Sequence, residues 1–525
     1  MNILISDPVD PVCVDLLRAE GVQVDLRPKL PAEELARIIG AYDALIIRSG
    51  TQVTAEVIAA AKRMKVIGRA GAAVDNVDVD AATRRGIVVM TTPGGNTIAA
   101  TEHTLSLLLS LCRNIPQANE SLKLGKWERT TYIGTELFDK TIGIIGLGKI
   151  GREVALRCQA FGMRTIGYDP VTSADVAAKM KVELVSLDEL YRRSDFITVH
   201  TPLTEETRGL IGDGAIAACK DGVRIINCAR GGIADEGALL RGLNSGKIHG
   251  VALDVFEKEP PGNHPLLQHP KVIATPHLGA STEEAQEKVA RQIAVQVADF
   301  LKERGVSGAV NAEALRTALE KGVKPYVLLA EKLGSLVAQL MNGQLKKVVI
   351  TCSGSPLFQS LGLFTAAVLK GILHHVMSEP VNLVNALVIA EEVGLVVEQQ
   401  IESEKDSYTS LLTVRYDTNK ETRRFSGTVY GNIHARIVRI DDFHFEVNPE
   451  GHLLFYSHVD RPGMLGGVGA ILAAERINIA GLSLGRGQPG RKALTVINVD
   501  GAIPSSVLKK LGEMEGVFDV RAVKL

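Results

Sequence analysis

The stretch Thr141-Ile-Gly-Ile-Ile-Gly146-Leu-Gly148-Lys149-Ile150-Gly151-Arg-Glu-Val-Ala155 decides the fold. A β-rich run ends in a glycine turn and passes straight into a helical pattern, with glycines at all three positions of a G-x-G-x-x-G fingerprint. Gly146 permits the tight turn, Gly148 lets the backbone approach a pyrophosphate, and Gly151 lets the helix pack closely on the strand. The amides that open the helix then face the phosphates, where the helix dipole favours negative charge. A lone fingerprint carries little weight, but here a second strand follows and ends at Tyr168-Asp169-Pro170. Asp169 lies 23 residues after Gly146, near the spacing at which a carboxylate meets the adenosine ribose. It accepts a hydrogen bond from a 2′-hydroxyl and repels a 2′-phosphate, so NAD rather than NADP is expected.

Outward from this unit, short apolar runs alternate with helical patterns. Strands are expected at residues 2–6, 43–49, 64–68 and 86–90, then at 164–168, 196–200, 224–227 and 250–255, with a long helix over 97–113. Residues 116–140 read as a polar connection. Runs this short and continuous fit parallel strands buried on both faces. The first ~310 residues therefore predict two α/β lobes. A long amphipathic helix from 281 to about 303 predicts that the chain returns to the first lobe, which leaves the second as an insertion. The expected boundaries are 1–97 with 283–310 for the outer lobe, and 98–282 for the NAD-binding lobe. From 311 to 450 the pattern becomes α+β, with a helix over 324–341 and strands at 346–351, 410–416, 425–430 and 434–440. After the turn signal Asn448-Pro449-Glu450-Gly451, residues 451–525 read strand, helix, strand, strand, helix, strand, the ferredoxin-like order.

Composition excludes several function classes. The 525 residues carry 59 Lys and Arg against 60 Asp and Glu, a balance without the basic excess of a general nucleic-acid binder. The longest apolar run, Leu105 to Cys112, falls far short of the ~20 residues of a membrane span. The opening MNILISDPVD lacks the pattern of a secretory signal. Six cysteines are scattered with no C-x-x-C pair, so no metal site is expected, and a reducing, cytoplasmic setting is.

Dehydrogenation of a hydroxy acid requires a proton acceptor beside the nicotinamide, a group that orients that acceptor, and a cation for the carboxylate. In open parallel sheets these groups lie beyond the carboxyl ends of strands. Arg230 closes Ile225-Ile-Asn-Cys-Ala-Arg-Gly-Gly232, Glu259 follows the run ALDVFEKE, and His277 follows the apolar run 271–274 in Thr275-Pro-His-Leu-Gly-Ala-Ser-Thr282. Histidine ordinarily titrates near 6.5, which suits proton exchange near neutrality, and arginine matches a carboxylate bidentately. Singly, each residue also fits a purely structural role; their shared placement after strands favours chemistry.

The run GLGKIGRE…YDP…VHTPLTEETRGLI…NCARGGIADEGAL…ALDVFEKEPP…TPHLGAST strongly resembles the D-isomer-specific 2-hydroxyacid dehydrogenases over roughly the first 310 residues. Within that family GRAGAAVDNVD (68–78), PGGNTIAATEH (93–103) and GKWERT (125–130) look like the branch acting on 3-phosphoglycerate. His458-Val-Asp460-Arg-Pro-Gly463 with Asn478-Ile-Ala resembles an ACT domain, and residues 311–450 look like the intervening domain of that branch's long form. The resemblance implies two Rossmann-like lobes, the NAD-binding lobe inserted in the substrate lobe, followed by an α+β intervening domain and a ferredoxin-like ACT domain. It implies NAD-dependent oxidation of 3-phospho-D-glycerate to 3-phosphohydroxypyruvate at the head of L-serine biosynthesis, by a homo-oligomer, for which a tetramer is expected. Arg230 is implied to hold the substrate carboxylate, His277 to be the general acid/base and Glu259 its partner. Gly146, Gly148, Lys149, Ile150, Gly151, Asp169, Thr201, Cys228, Arg230, Asp254, His277 and Gly279 match cofactor-contact positions. One departure stands out: Ala72 follows Gly-Arg-Ala-Gly where the family usually has threonine, which removes one hydroxyl near the nicotinamide.

For the substrate phosphate, Arg48, Arg69 and Arg129 are candidate cations and Asn96 a neutral donor. In the ACT segment His458, Asp460 and Asn478 are candidate effector residues. Asp460 is expected to take the ammonium and Asn478 to add an amide to an amino acid, with L-serine the obvious one; DRPG as a plain turn is the alternative. Two other functions stay open: a dehydrogenase acting on glyoxylate or hydroxypyruvate, and a non-catalytic NAD-sensing scaffold.

Overall fold

The structure, a computed structural model, describes residues 1–312, 315, 322–377, 380–402, 408–487 and 490–525. It divides into two compact units, Val9–Cys13 with Thr92–Gln292, and Met1–Pro8 and Val14–Thr91 with Ile293–Leu525.

The unit centred on Thr92–Gln292 contains a seven-stranded sheet. Its strands are β6 (Thr141–Ile145), β7 (Arg164–Tyr168), β8 (Glu183–Leu184), β9 (Phe196–Val199), β10 (Val223–Asn227), β11 (Ile248–Leu253) and β12 (Val272–Ala274), ordered β12-β11-β10-β9-β6-β7-β8. All pairings are parallel. Ile142, Ile144, Ile145, Ile197, Val199, Ile225 and Ile226 are fully buried, because helices cover both faces. Between β6 and β9 the strand order reverses direction, which opens a crevice beyond their carboxyl ends.

The other unit begins with a five-stranded parallel sheet. β1 (Asn2–Ile5), β2 (Gln23–Leu26), β3 (Ala44–Ile47), β4 (Val66–Arg69) and β5 (Val88–Met90) run in the order β2-β1-β3-β4-β5. The C-terminal half of the helix Glu283–Leu301 packs on this sheet: a Cβ added to Gly68 would lie 2.8 Å from Val297. Asn311 ties the returning chain down, accepting from the Val89 amide at 2.8 Å and donating to the Ile87 carbonyl at 2.9 Å.

A mixed sheet follows, ordered β14-β13-β15-β16-β17-β18, from β13 (Leu345–Ser353), β14 (Val396–Glu402), β15 (Leu411–Thr418), β16 (Thr422–Tyr430), β17 (His434–Ile440) and β18 (Phe443–Val447). The helices Lys324–Leu340 and Leu361–Leu373 share its core through Leu333, Leu336, Phe364, Val368, Tyr416 and Phe425. The last sheet, β20-β21-β19-β22, holds β19 (His452–Val459), β20 (Ile479–Arg486), β21 (Lys492–Val499) and β22 (Val517–Lys524). The helices Met464–Ala474 and Ser505–Gly512 complete the βαββαβ order.

Several elements differ from the sequence reading, among them two helices. The connection expected over 116–140 contains the helix Ile115–Lys123. Asn114 is left-handed (φ 50°) and breaks the chain away from the helix Thr97–Arg113; Pro116 then occupies the first turn, where its missing N–H costs nothing. The helix Leu361–Leu373 is apolar nearly all round, so it lacks the amphipathic period by which helices are recognised.

Candidate active site

The fingerprint turn has the geometry its glycines require. Gly146 adopts φ 93°, and a Cβ there would lie 2.6 Å from the His200 carbonyl. At Gly151 a Cβ would lie 2.0 Å from the Gly146 carbonyl oxygen, so the helix Lys149–Ala160 and the turn are in backbone contact. Gly148 faces open space, and a Cβ there would meet nothing within 4 Å. Close packing below and clearance above make a cradle for a pyrophosphate.

Other groups around the turn are similarly poised. The Thr201 hydroxyl oxygen is shielded from solvent and has no hydrogen-bond partner among the described residues. Lys149 is exposed, its Nζ 3.4 Å from the Pro93 carbonyl, while Ile150 packs into the core beneath. Asp169 accepts from the Leu147 amide at 2.8 Å and from the Val171 and Thr172 amides at 2.9 and 2.8 Å. Burial opposes its charge, but these amides outweigh that and hold its carboxyl below the ordinary range. Asp169 thus stitches the strand end to the glycine turn as well as presenting an anion. Cys228 is half-buried, and desolvation pushes its thiol up to about 12, so it is a neutral group.

His277, Glu259 and Arg230 all emerge from strand ends of the same unit. His277 Nδ1 is 2.7 Å from Glu259 Oε2, and the Glu259 Oε1 accepts from the Phe256 amide at 3.1 Å. Since a carboxylate only accepts, His277 carries its proton on Nδ1, and Nε2 is the nitrogen left for exchange with a substrate. Both side chains are accessible, His277 at 46% and Glu259 at 38%. The loop bearing Arg230 is set by Asn227, 2% exposed, which donates to the Arg230 carbonyl at 2.9 Å and accepts from the Ala229 amide at 3.0 Å.

His277 has φ 55°, in the left-handed region that a non-glycine residue enters at about 1–2 kcal/mol. Asp254, only 1% exposed, supplies the restraint. Its Oδ1 accepts from the Leu278 amide at 2.7 Å and from the Thr275 hydroxyl at 2.6 Å, and its Oδ2 from the Gly279 amide at 2.8 Å. Burial opposes the charge; donors from His103, Thr275 and Leu278 outweigh it and hold the carboxyl below its ordinary range. Sequence reasoning placed Asp254 and Gly279 among cofactor contacts, and the structure gives both a part in shaping the loop that carries His277.

The candidate phosphate ligands fall in both units. In the unit that begins at Met1, Arg48 and Arg69 are joined through Asn76, 8% exposed. Asn76 donates to the Arg48 carbonyl at 2.7 Å and accepts from Arg69 Nε at 2.8 Å. Asp7 accepts from the Arg48 amide at 2.6 Å and shapes the turn that carries it. Asn76 and Asp7 were not singled out in the sequence, where nothing local distinguishes them from other surface polar residues. In the other unit Asn96 precedes the helix Thr97–Arg113 without capping it, and Arg129 lies in an exposed loop.

The structure does not bring the three effector candidates together. His458 is 2% exposed and spans the Thr495 hydroxyl and the Val459 carbonyl. Asp460 faces Arg486 at 3.5 Å, and Asn478 donates to Asp500 at 2.7 Å.

Comparison with known proteins gives three family matches. They are the D-isomer specific 2-hydroxyacid dehydrogenase NAD binding domain over residues 105–279, the D-3-phosphoglycerate dehydrogenase intervening domain over 322–441, and the ACT domain over 452–516. D-3-phosphoglycerate dehydrogenases of Archaeoglobus fulgidus and Methanocaldococcus jannaschii are each 42% identical to the chain, covering all of it and all of their own length. Among solved structures, D-lactate dehydrogenase of Aquifex aeolicus in complex with NAD and lactic acid is 28% identical with a TM-score of 0.52, covering 58% of this chain and 96% of that one. Glyoxylate reductase of Paecilomyes thermophila is 31% identical with a TM-score of 0.55, covering 59% and 98%.

Proposed function

The chain belongs to the D-3-phosphoglycerate dehydrogenases of the D-isomer-specific 2-hydroxyacid dehydrogenase family, and from that premise we propose its reaction, the NAD-dependent oxidation of 3-phospho-D-glycerate to 3-phosphohydroxypyruvate, the first step of L-serine biosynthesis. The observation that carries it is the His277–Glu259 pair at 2.7 Å, at the strand ends of the unit that bears the glycine cradle. NAD, held by the glycine turn and Asp169, would supply an acceptor for the hydride lost from the substrate's second carbon. Arg230 holds the carboxylate, and His277 Nε2 takes the hydroxyl proton as the carbonyl forms. Glu259 keeps the other ring nitrogen protonated and stabilises the imidazolium that results. Asp169 meets the adenosine ribose, Thr201 offers the spare hydroxyl, and Gly146, Gly148 and Gly151 admit the pyrophosphate.

Arg48 and Arg69, with Arg129 and Asn96, are assigned to the phosphate end of the substrate. Residues 1–97 with 283–310 make the substrate domain and 98–282 the NAD domain. Residues 311–450 are the intervening domain and 451–525 the ACT domain. That last domain senses L-serine through Asp460 and Asn478, whose separate placement within one chain is consistent with a site completed by a second subunit. Self-association into a tetramer is supported by the large apolar side chains of Leu124, Trp127, Ile133 and Phe138, each more than two-thirds exposed. No helix among the described residues is long and apolar enough to cross a membrane, and six free cysteines support a cytoplasmic setting.

The test is NADH-linked turnover of 3-phosphoglycerate and phosphohydroxypyruvate beside glyoxylate and hydroxypyruvate, with and without L-serine. Turnover confined to the phosphorylated pair is expected. Turnover of the unphosphorylated acids alone would refute the substrate, and NAD binding without any turnover would favour a sensing scaffold.

A further inference from the structure

The helix Thr97–Arg113 carries none of the Arg230, Glu259, His277 trio, yet one of its side chains reaches the loop that holds His277. His103 Nε2 is 3.1 Å from Asp254 Oδ1 and 3.0 Å from the Thr275 hydroxyl oxygen. The roles follow from the inventory of donors. Thr275 already donates its hydroxyl proton to Asp254, and the carboxylate only accepts, so the His103 proton is on Nε2 and is shared between Asp254 Oδ1 and Thr275 Oγ1.

The bonds beyond Asp254 lead to the proton-transfer residue. Its two oxygens hold the successive amides of Leu278 and Gly279, and its backbone carbonyl accepts from the His277 amide at 2.9 Å. Residue 277 keeps a left-handed backbone (φ 55°) only while its surroundings impose one. The carboxylate that imposes it is almost wholly buried, so its orientation is set by its donors rather than by water.

We propose that His103, acting with Thr275, is a positioning residue for the proposed dehydrogenase reaction: its Nε2–H orients the Asp254 carboxylate, which fixes the 275–279 loop and so aims His277 Nε2 at the substrate hydroxyl. The inference rests on the reading of His277 as acid/base. An alternative role for His103, filling space in the core, makes a different prediction. Glutamine places an amide N–H close to where His103 has Nε2, whereas phenylalanine keeps the ring and removes the donor.

Wild type, His103→Phe and His103→Gln are compared as full-length chains. The readouts are kcat and KM on whichever of phosphohydroxypyruvate, glyoxylate or hydroxypyruvate the wild type reduces best, and the NADH Kd by fluorescence. H103F is expected to lose kcat 10-fold or more, with KM and the NADH Kd changed less than 3-fold, and H103Q to recover most of the loss. Wild-type kcat in H103F would overturn the proposal, as would H103Q as slow as H103F, or a loss of NADH affinity that accounts for the lost rate. If H103F does not fold, Thr275→Val removes the shared hydroxyl and reads the same linkage; wild-type kcat there would also overturn it. The choice of substrate keeps the two readings apart. A wild type that reduces only unphosphorylated acids refutes the phosphoglycerate assignment, and the His103 comparison still decides this inference.

Discussion

Replacing Gly151 by alanine tests whether cofactor affinity depends on how closely the helix Lys149–Ala160 approaches the preceding turn. The new Cβ would lie 2.0 Å from the Gly146 carbonyl oxygen and 3.1 Å from its carbonyl carbon, about 1 Å inside the closest approach real Cβ atoms make. Both neighbours are backbone, so no side chain can rotate away and the start of the helix must move. Overpacking of this kind costs about 1–3 kcal/mol, and the better helix propensity of alanine returns about 1 kcal/mol. The expected net loss is up to about 2 kcal/mol, or a Tm lower by up to roughly 8 °C. The effect on binding is larger. Displacing the amides that meet the pyrophosphate removes at least one charge-assisted hydrogen bond, about 1.5–3 kcal/mol, which raises the NADH Kd about 10- to 100-fold. Gly148→Ala is the internal control. Nothing lies within 4 Å of its added Cβ and its φ is −68°, so Tm should stay at the wild-type value while NADH binding is lost to a clash with the cofactor itself. Differential scanning calorimetry and NADH fluorescence titration read the two effects separately. A G151A protein with wild-type Tm and wild-type Kd would refute the reasoning.

Three further outcomes are expected. Glu259→Gln presents an amide donor to His277 Nδ1 and drives the ring proton onto Nε2, so kcat/KM should fall about 10- to 100-fold with NADH affinity retained; unchanged steady-state kinetics would contradict this. Burial pushes His200 down to about 4, below its unfolded value of ~6.5. Its contribution is therefore complete above pH ~6.5 and lost as pH falls toward 4. In urea melts across that window His200→Gln should lose less stability than wild type on acidification, and parallel losses would count against the assignment. Burial raises Cys13, Cys158, Cys228 and Cys352 to about 12 and Cys112 and Cys219 to about 11. At pH 8 an aromatic disulfide reagent should therefore react slowly with native protein and promptly with all six thiols after unfolding. A prompt thiol in the native state would be inconsistent with this packing.

The readable parts of the fold were those with a local cause. The helix Thr97–Arg113 coincides with its expected bounds because its apolar residues recur within its own span and the left-handed Asn114 ends it locally. The helix Ile115–Lys123 was missed because Pro116 reads as a breaker unless the left-handed Asn114 before it is known. The helix Leu361–Leu373 was missed because burial on all sides erases the period, and β14 because a strand whose residues are mostly exposed shows no apolar run.

The chain's chemistry was written in one dimension wherever a residue type and a short spacing sufficed. Three glycines in a turn and an aspartate one strand later predict a dinucleotide-binding lobe because those constraints act between near neighbours, and an arginine, a glutamate and a histidine each just past a strand are the residues proposed to act on the hydroxy acid. What holds these groups in working geometry came from residues distant in sequence. Asp254 and His103 approach the His277 loop from positions 23 and 174 residues away, and Asn76 joins Arg48 to Arg69 across two strands. A buried carboxylate or amide is defined by the donors around it, and those are assembled only when the sheets close.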